Sequence, residues 1–384
     1  MRRPLEVYIH IPFCAKKCDY CDFLSGPAPV SVQGHYVEQL IEEISYQSAH
    51  YPGYKVISVF LGGGTPSLLL PKQVLEIMDH VRAHFELAKD AEVTIEANPG
   101  TVTMEKLEAW KMGGINRISI GLQSADDTEL RNLGRIHSYD EFLKTYQRVR
   151  QAGFHNVNID LMSALPGQTV TSWKSTLKNV ARLKPEHISA YSLMIEKGTS
   201  FYEKYYGHPE LLPDEDAERE MYYVTKKFLQ SKGFYRYEIS NYAKPGKECR
   251  HNIGYWTGVE YLGLGLGASS YIQGFRFHNE RDLKIYCKMK MKGKEADGWL
   301  HQEIIKLSQK EKMEEFMFLG LRMIKGVSRK DFLRRFGVDM WDIYGKVLEK
   351  LKQNRLITVD DFDVKLTEFG IDISNYVLSE FLLD

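Results

Sequence analysis

Three of the five cysteines, Cys14, Cys18 and Cys21, share one short stretch, YIHIPFCAKKCDYCDF from Tyr8 to Phe23. The spacing is C-x3-C-x2-C, directly after the apolar run Val7–Phe13. Three thiolates so placed are expected to converge on a single point. Ferredoxin-type clusters draw four thiolates from other spacings. Structural zinc takes four closed ligands, and no fourth partner stands nearby in the sequence. Three local thiolates instead leave a cubane cluster with one iron open, and an open iron can hold a small chelating molecule. The plain alternatives are buried apolar cysteines, or a zinc knuckle completed by a distant residue.

A chain of 384 residues is long for one core, which predicts a large domain and a smaller one. Lys+Arg and Asp+Glu both number 51, so there is no overall basic footprint and nucleic acid is not an expected partner. The N-terminus MRRPLEVYIH has no apolar signal region and no apolar run reaches spanning length. Five cysteines with three on one loop are not a disulfide framework, which points to a reducing cytosol. Peripheral membrane contact and a homodimer are both compatible with this composition.

Short apolar runs alternate with helical patterns. Val7–Ile11, Val56–Leu61, Val93–Glu96, Arg117–Leu122, Val157–Leu161 and His187–Leu193 read as strands. Helical stretches lie between them near Tyr36–His50, Pro71–Phe85, Met104–Lys111, Tyr139–Ala152 and Thr171–Ala181. This alternation predicts an α/β fold with a parallel sheet, and six such strands suit a partial (β/α)6 barrel. Chemistry in such sheets sits at the C-terminal ends of the strands. Cys14, Gly62–Thr65, Glu96, Gln123 and Asp160 fall at the ends of successive strands. GGGTP is either a tight turn or a place where a ligand meets bare backbone. Glu96 can accept hydrogen bonds from ribose hydroxyls or an ammonium group. LPGQ at Leu165–Gln168 reads as a Pro-Gly turn near the cleft.

Beyond Leu193 the pattern changes. Gly198–Pro213 is loop-like, and Asp214–Lys232 is an amphipathic helix with an acidic start and a basic end. The alternating glycines of YLGLGLGASSY, Tyr261–Tyr271, predict close backbone packing rather than a nucleotide loop. The string HNIGYW puts His251, Asn252, Tyr255 and Trp256 on what reads as one short loop. Imidazole can ligate heme iron and aromatic rings can cover a porphyrin, against the alternative of a satisfied structural histidine; Cys249 is a second candidate ligand. From about Leu307 helices and a small hairpin, Leu356–Thr358 with Val364–Leu366, form a winged-helix-like α+β module. The hairpin turn carries Asp360, Asp361 and Asp363, which disfavours DNA. The expected domains are residues 1–235 (barrel), 236–306 (an extension with HNIGYW) and 307–384.

The cysteine triplet after a first strand resembles the signature of the radical S-adenosylmethionine (SAM) enzymes. YIHIPFC with GGGTPS narrows the resemblance to the branch of oxygen-independent coproporphyrinogen III oxidases and HemW-type heme chaperones. It implies a [4Fe-4S] cluster on Cys14, Cys18 and Cys21, with SAM chelated to the free iron. It places Gly63, Gly64, Thr65, Glu96, Gln123, Arg135 and Asp160 around SAM, and Tyr8 and Tyr20 beside the cluster loop and adenine. An electron donor such as flavodoxin or ferredoxin follows from it. HNIGYW fits HNxxYW, by which the chaperones are recognised and to which heme binding is attributed. The oxidases continue their motif as CxxxCxxCxC, whereas here position 23 is phenylalanine. The resemblance therefore favours a chaperone that binds heme and delivers it to apo-hemoproteins. The oxidase, converting propionates to vinyls, is the runner-up, and a nucleic-acid-modifying radical SAM enzyme is third.

Overall fold

In the first strand, β1 (Arg3–Ile11), both faces are buried. Leu5, Val7, Ile9 and Ile11 join the main apolar core, while the alternate positions Glu6, Tyr8 and His10 face the other way. The same two-sided pattern recurs in β2 (Tyr54–Gly63), β3 (Leu87–Ala97), β4 (Arg117–Gln123), β5 (Val157–Ser163) and β6 (His187–Ser192). These six strands pair in chain order, all parallel. Helices Val30–His50, Pro71–His84, Met104–Met112, Tyr139–Gln151 and Val170–Arg182 connect them. Sequence periodicity anticipates all five, though the first begins earlier than expected, and the short helix Asp127–Asn132 escapes it. A computed structural model describes residues 2–291 and 295–383.

The sheet does not stop at six strands. β7 (Tyr235–Arg236) and β8 (Asn241–Ala243) extend it antiparallel beyond β6. β9 (Tyr261–Leu264) lies parallel to β1, and β10 (Ser269–Ile272), β11 (Phe275–Asn279) and β12 (His301–Lys306) continue antiparallel outward. Twelve strands result, in the order β12-β11-β10-β9-β1-β2-β3-β4-β5-β6-β8-β7. The expected boundary at 235/236 thus falls inside β7, and residues 236–306 add strands to both edges rather than forming a layer of their own. The glycine-rich string behaves as predicted. A Cβ on Gly263 would meet the Ser269 carbonyl, and one on Gly265 would meet the Tyr36 hydroxyl and the His10 carbonyl. The stretch 198–213 is not all loop: it holds the helix Ser200–Tyr205 and a 3-10 turn at Pro209–Leu211.

A second, separate core lies in the C-terminal region, built around Met317, Phe332, Tyr344, Leu348, Leu351, Val377 and Phe381. Its helices Gln309–Gly320, Arg329–Phe336 and Met340–Gln353 pack beside a three-stranded antiparallel sheet: β13 (Val327–Ser328), β14 (Ile357–Val359) and β15 (Asp363–Leu366), in the order β13-β15-β14. Asp360 closes the hairpin by accepting hydrogen bonds from the Phe362 and Asp363 amides.

Candidate functional site

At the C-terminal ends of β1 to β6 the loops enclose a cavity of about 280 Å³. Cys14, Cys18 and Cys21 line it, together with Tyr20, Gly63, Gly64, Thr65, Glu96, Gln123, Arg135 and Asp160. Residues from five strand ends, scattered over about 150 positions of sequence, therefore meet as the register predicts. Among the described residues no three His, Cys, Asp or Glu side chains are grouped to hold a single metal ion. The thiols thus do not converge on one point as expected but stand around one space, as suits ligands of different irons in a cluster.

The cysteine loop is held from both ends. The Cys14 amide donates to the Gly26 carbonyl at 3.0 Å and the Gly26 amide to Pro12 at 3.0 Å. The Asp19 amide donates to Leu133, and the Asp19 carbonyl accepts from the Phe201 amide. Two donors reach the sulfurs: Thr65 Oγ1 lies 3.5 Å from Cys14 Sγ and Arg135 Nη1 lies 3.7 Å from Cys18 Sγ. Burial, and after it the neighbouring Cys18 and Cys14, raise the Cys21 thiol above its ordinary pKa. A cationic iron centre would take these cysteines as thiolates, displacing their protons and offsetting the mutual repulsion of the charges.

Asn98 ties the two sulfur donors together. Its Nδ2 donates to Thr65 Oγ1 at 2.9 Å and its Oδ1 accepts from Arg135 Nη2 at 2.8 Å. Sequence reading missed it, along with Ser119 and Tyr191; its place two residues beyond Glu96 was the available signal. Ser119 Oγ donates to Asp160 Oδ2 at 2.9 Å, and the Tyr191 hydroxyl donates to Gln123 Oε1 at 2.9 Å. Gln123 has φ 74°, and the β4–β5 register shifts beside it. That irregularity aims the side chain into the cavity.

Glu96 accepts a hydrogen bond from the Gly63 amide at 3.1 Å. Burial, with Asp160 adding like charge, pushes its carboxyl up to about 8. A positively charged ligand seated near the two carboxyls would restore the charged form of Glu96. SAM, with its ammonium and sulfonium, has that charge.

The glycines of GGGTP answer to protein neighbours as well as to any ligand. A Cβ on Gly64 would meet the Phe13 and Ile11 carbonyls, one on Gly63 the His10 ring, and one on Gly62 the Phe60 ring. Tyr8 is not on the cavity wall. Its hydroxyl is 3.0 Å from His10 Nδ1, whose Nε2 is 2.9 Å from the Leu24 carbonyl. It therefore supports the cysteine loop through His10, because its alternate position on β1 points deeper into the barrel.

HNIGYW is not a loop. It forms the helix Arg250–Thr257, with Glu92 of β3 accepting from the Arg250 and His251 amides and from Cys249 Sγ. A carboxylate at a helix N-terminus is favoured by the unpaired amides there. His251 is buried, its Nδ1 2.8 Å from Ser58 Oγ and its Nε2 3.0 Å from the Tyr255 hydroxyl. Its ring stacks on Phe60 with centroids 5.2 Å apart. Burial, followed by the Arg117 charge, pushes its pKa down to about 3. Neither ring nitrogen is open to iron in this conformation, so the expected axial ligand is a structural histidine. Cys249 is also buried, its thiol pushed up to about 12 chiefly by burial. Asn252 is half-buried, and Trp256 is the motif residue that reaches another cavity.

Residues 8–180 match the Radical SAM superfamily and residues 307–373 match the HemN C-terminal domain. Three curated relatives are described as "Heme chaperone HemW". The Lactococcus lactis protein is 35% identical over 100% of this chain and 99% of its own length. The Bacillus subtilis protein is 35% identical over 98% and 99%, and the Escherichia coli protein 35% over 99% and 99%. The chain belongs to the HemW family of radical SAM proteins. Among solved structures, coproporphyrinogen III oxidase (HemN) from Escherichia coli superposes with a TM-score of 0.87 at 25% identity, covering 99% of this chain and 90% of that one. The HemW family's radical SAM character implies a [4Fe-4S] cluster and SAM. The thiol-lined cavity, with two donors on its sulfurs and a protonated carboxyl waiting for a cation, fits both. The cluster would supply the iron that chelates SAM. Among the described residues no helix is long and apolar enough to cross a membrane.

Proposed function

We propose that this chain is a heme chaperone, binding heme and delivering it to apo-hemoproteins, with SAM held at a [4Fe-4S] cluster on Cys14, Cys18 and Cys21. The observation that carries this reading is full-length likeness, at 35% identity, to heme chaperones of three bacteria. The cavity adds a chemical argument. Phe23 stands on its wall, where the oxidase pattern has a cysteine, and a phenyl ring can neither ligate iron nor carry a hydrogen atom as a thiol does. On this reading Glu96, Gln123, Arg135 and Asp160 surround the sugar and methionine of SAM. Tyr20, Gly63, Gly64 and Thr65 complete its seat. A reductant of flavodoxin or ferredoxin type serves the cluster in the cytoplasm, and peripheral membrane contact or a homodimer would bring the chaperone to its recipients.

The test is heme titration of anaerobically purified protein, followed by the Soret band, beside an assay with SAM, reductant and coproporphyrinogen III. Stoichiometric heme binding without vinyl-bearing product is expected. Repeated turnover to a vinyl product would overturn the chaperone reading in favour of the oxidase.

A further inference from the structure

Trp256 opens a question that His251 closes. It lies on the wall of a cavity of about 400 Å³ between the barrel and the C-terminal region, a volume within the range of about 300–1,000 Å³ typical of small-molecule sites. Tyr271 from β10 joins it on the barrel side, and Phe316 and Phe336 face it from the C-terminal helices. Four aromatic rings from two separately cored regions thus border one space. Trp256 Nε1 is buried with no hydrogen-bond partner among the described residues.

The charges around this groove are unequal in a way its composition hides. Three carboxylates line it: Glu315, Asp331 and Asp363. Each is already paired with a cation outside the lining, respectively Arg276 at 2.9 Å, Arg334 at 2.8 Å and Lys365 at 3.2 Å. Lys312 and Lys325 also line it, and among the described residues neither has an ion-pair partner. The third cation, Arg335, donates to the Thr257 carbonyl at 2.9 Å and so bridges the two regions. What remains without an ion-pair partner among the described residues is two ammonium groups and the Arg335 guanidinium, beside aromatic rings of which Trp256 and Phe316 each already carry a guanidinium on one face, Arg322 at 4.3 Å and Arg335 at 5.4 Å. That arrangement suits a flat, apolar molecule with two carboxylates on one edge.

We propose that this groove is the heme seat, with porphyrin faces against Trp256, Phe316 and Phe336 and the two propionates toward Lys312 and Lys325. The assignment rests on the chaperone reading above and moves its site from the base of the barrel to the junction of the two regions. The lining contains no histidine, cysteine or methionine. Heme held by faces and edges, without a strong axial bond to any of these, can be surrendered to a recipient that supplies one.

The experiment titrates heme, and separately heme dimethyl ester, into the full-length protein and three variants: Lys312→Ala/Lys325→Ala, Trp256→Ala and His251→Ala. Circular dichroism checks that each is folded. Wild type should prefer free heme over the ester. The double lysine variant should lose about tenfold or more in heme affinity and no longer distinguish the two ligands. Trp256→Ala should weaken both ligands, and a folded His251→Ala should retain heme affinity. If wild type binds heme and neither the lysine pair nor Trp256 alters affinity, the groove is not the seat while the chaperone reading stands. If wild type does not bind heme, the chaperone reading itself falls.

Discussion

The mouth and the base of the barrel are made of the same strands and both are polar inside, yet they have opposite characters. At the base, Glu6, Ser58 and Glu92 sit on neighbouring strands in register and all three are buried. The helix Arg250–Thr257 lies against them: Glu92 caps it, Ser58 meets His251, and Gly254 packs directly against the Glu6 carboxyl. At the mouth, Glu96, Gln123 and Asp160 hold comparable positions higher on the strands and line the cavity with the thiols. An inward polar residue in such a barrel is therefore not a site in itself. Whether a distant segment returns to satisfy it decides between a structural plug and a pocket.

The sharpest way to break this comparison is to exchange the cysteines. Replacing Cys14, Cys18 or Cys21 with Ala should abolish the cluster signal in EPR of the reduced protein. Cys249→Ala at the base and Cys287→Ala should retain it. Loss of the signal in Cys249→Ala with retention in the triplet variants would reverse the roles assigned to mouth and base.

A smaller effect is expected from the mouth carboxylates. Glu96→Ala and Asp160→Ala should each weaken SAM binding by about 1.5–3 kcal/mol, or roughly tenfold or more, as a lost charged hydrogen bond does. Calorimetry showing unchanged affinity in both would remove them from the pocket.

The smallest effect sharpens the base. Burial holds the Glu6 carboxyl at about 9, far above its ordinary 4.5, despite a hydrogen bond from Ser58. Between these values the folded protein holds a proton that the unfolded chain has released, so stability falls as pH rises through this window. Glu6→Gln keeps the shape without the titration. Thermal melts from pH 5 to 9 should therefore decline less steeply in the variant than in wild type, and equal slopes would mean that Glu6 is not the group responsible.

Most of the mouth was legible because its residues punctuate the ends of strands whose apolar runs are themselves plain. Cys14, Thr65, Glu96, Gln123 and Asp160 each follow such a run. Tyr8 reaches the cysteine loop through His10, because strand alternation fixes its face but not its depth. HNIGYW reads as a loop in the sequence because its polar residues show no apolar helical stripe. Its helix is fixed instead by Glu92, some 160 positions away, a partner that no local pattern reveals.

By itself the sequence determined the six parallel strands, the thiol loop after the first and the C-terminal module, since each depends on local periodicity or spacing. Only the tertiary structure decided that the sheet extends to twelve strands, that His251 is a sealed base residue and that Trp256 faces a groove shared with the C-terminal helices. The physical reason is that burial and pairing are properties of contacts between remote segments. A histidine with two filled nitrogens and one open to iron are spelled the same way.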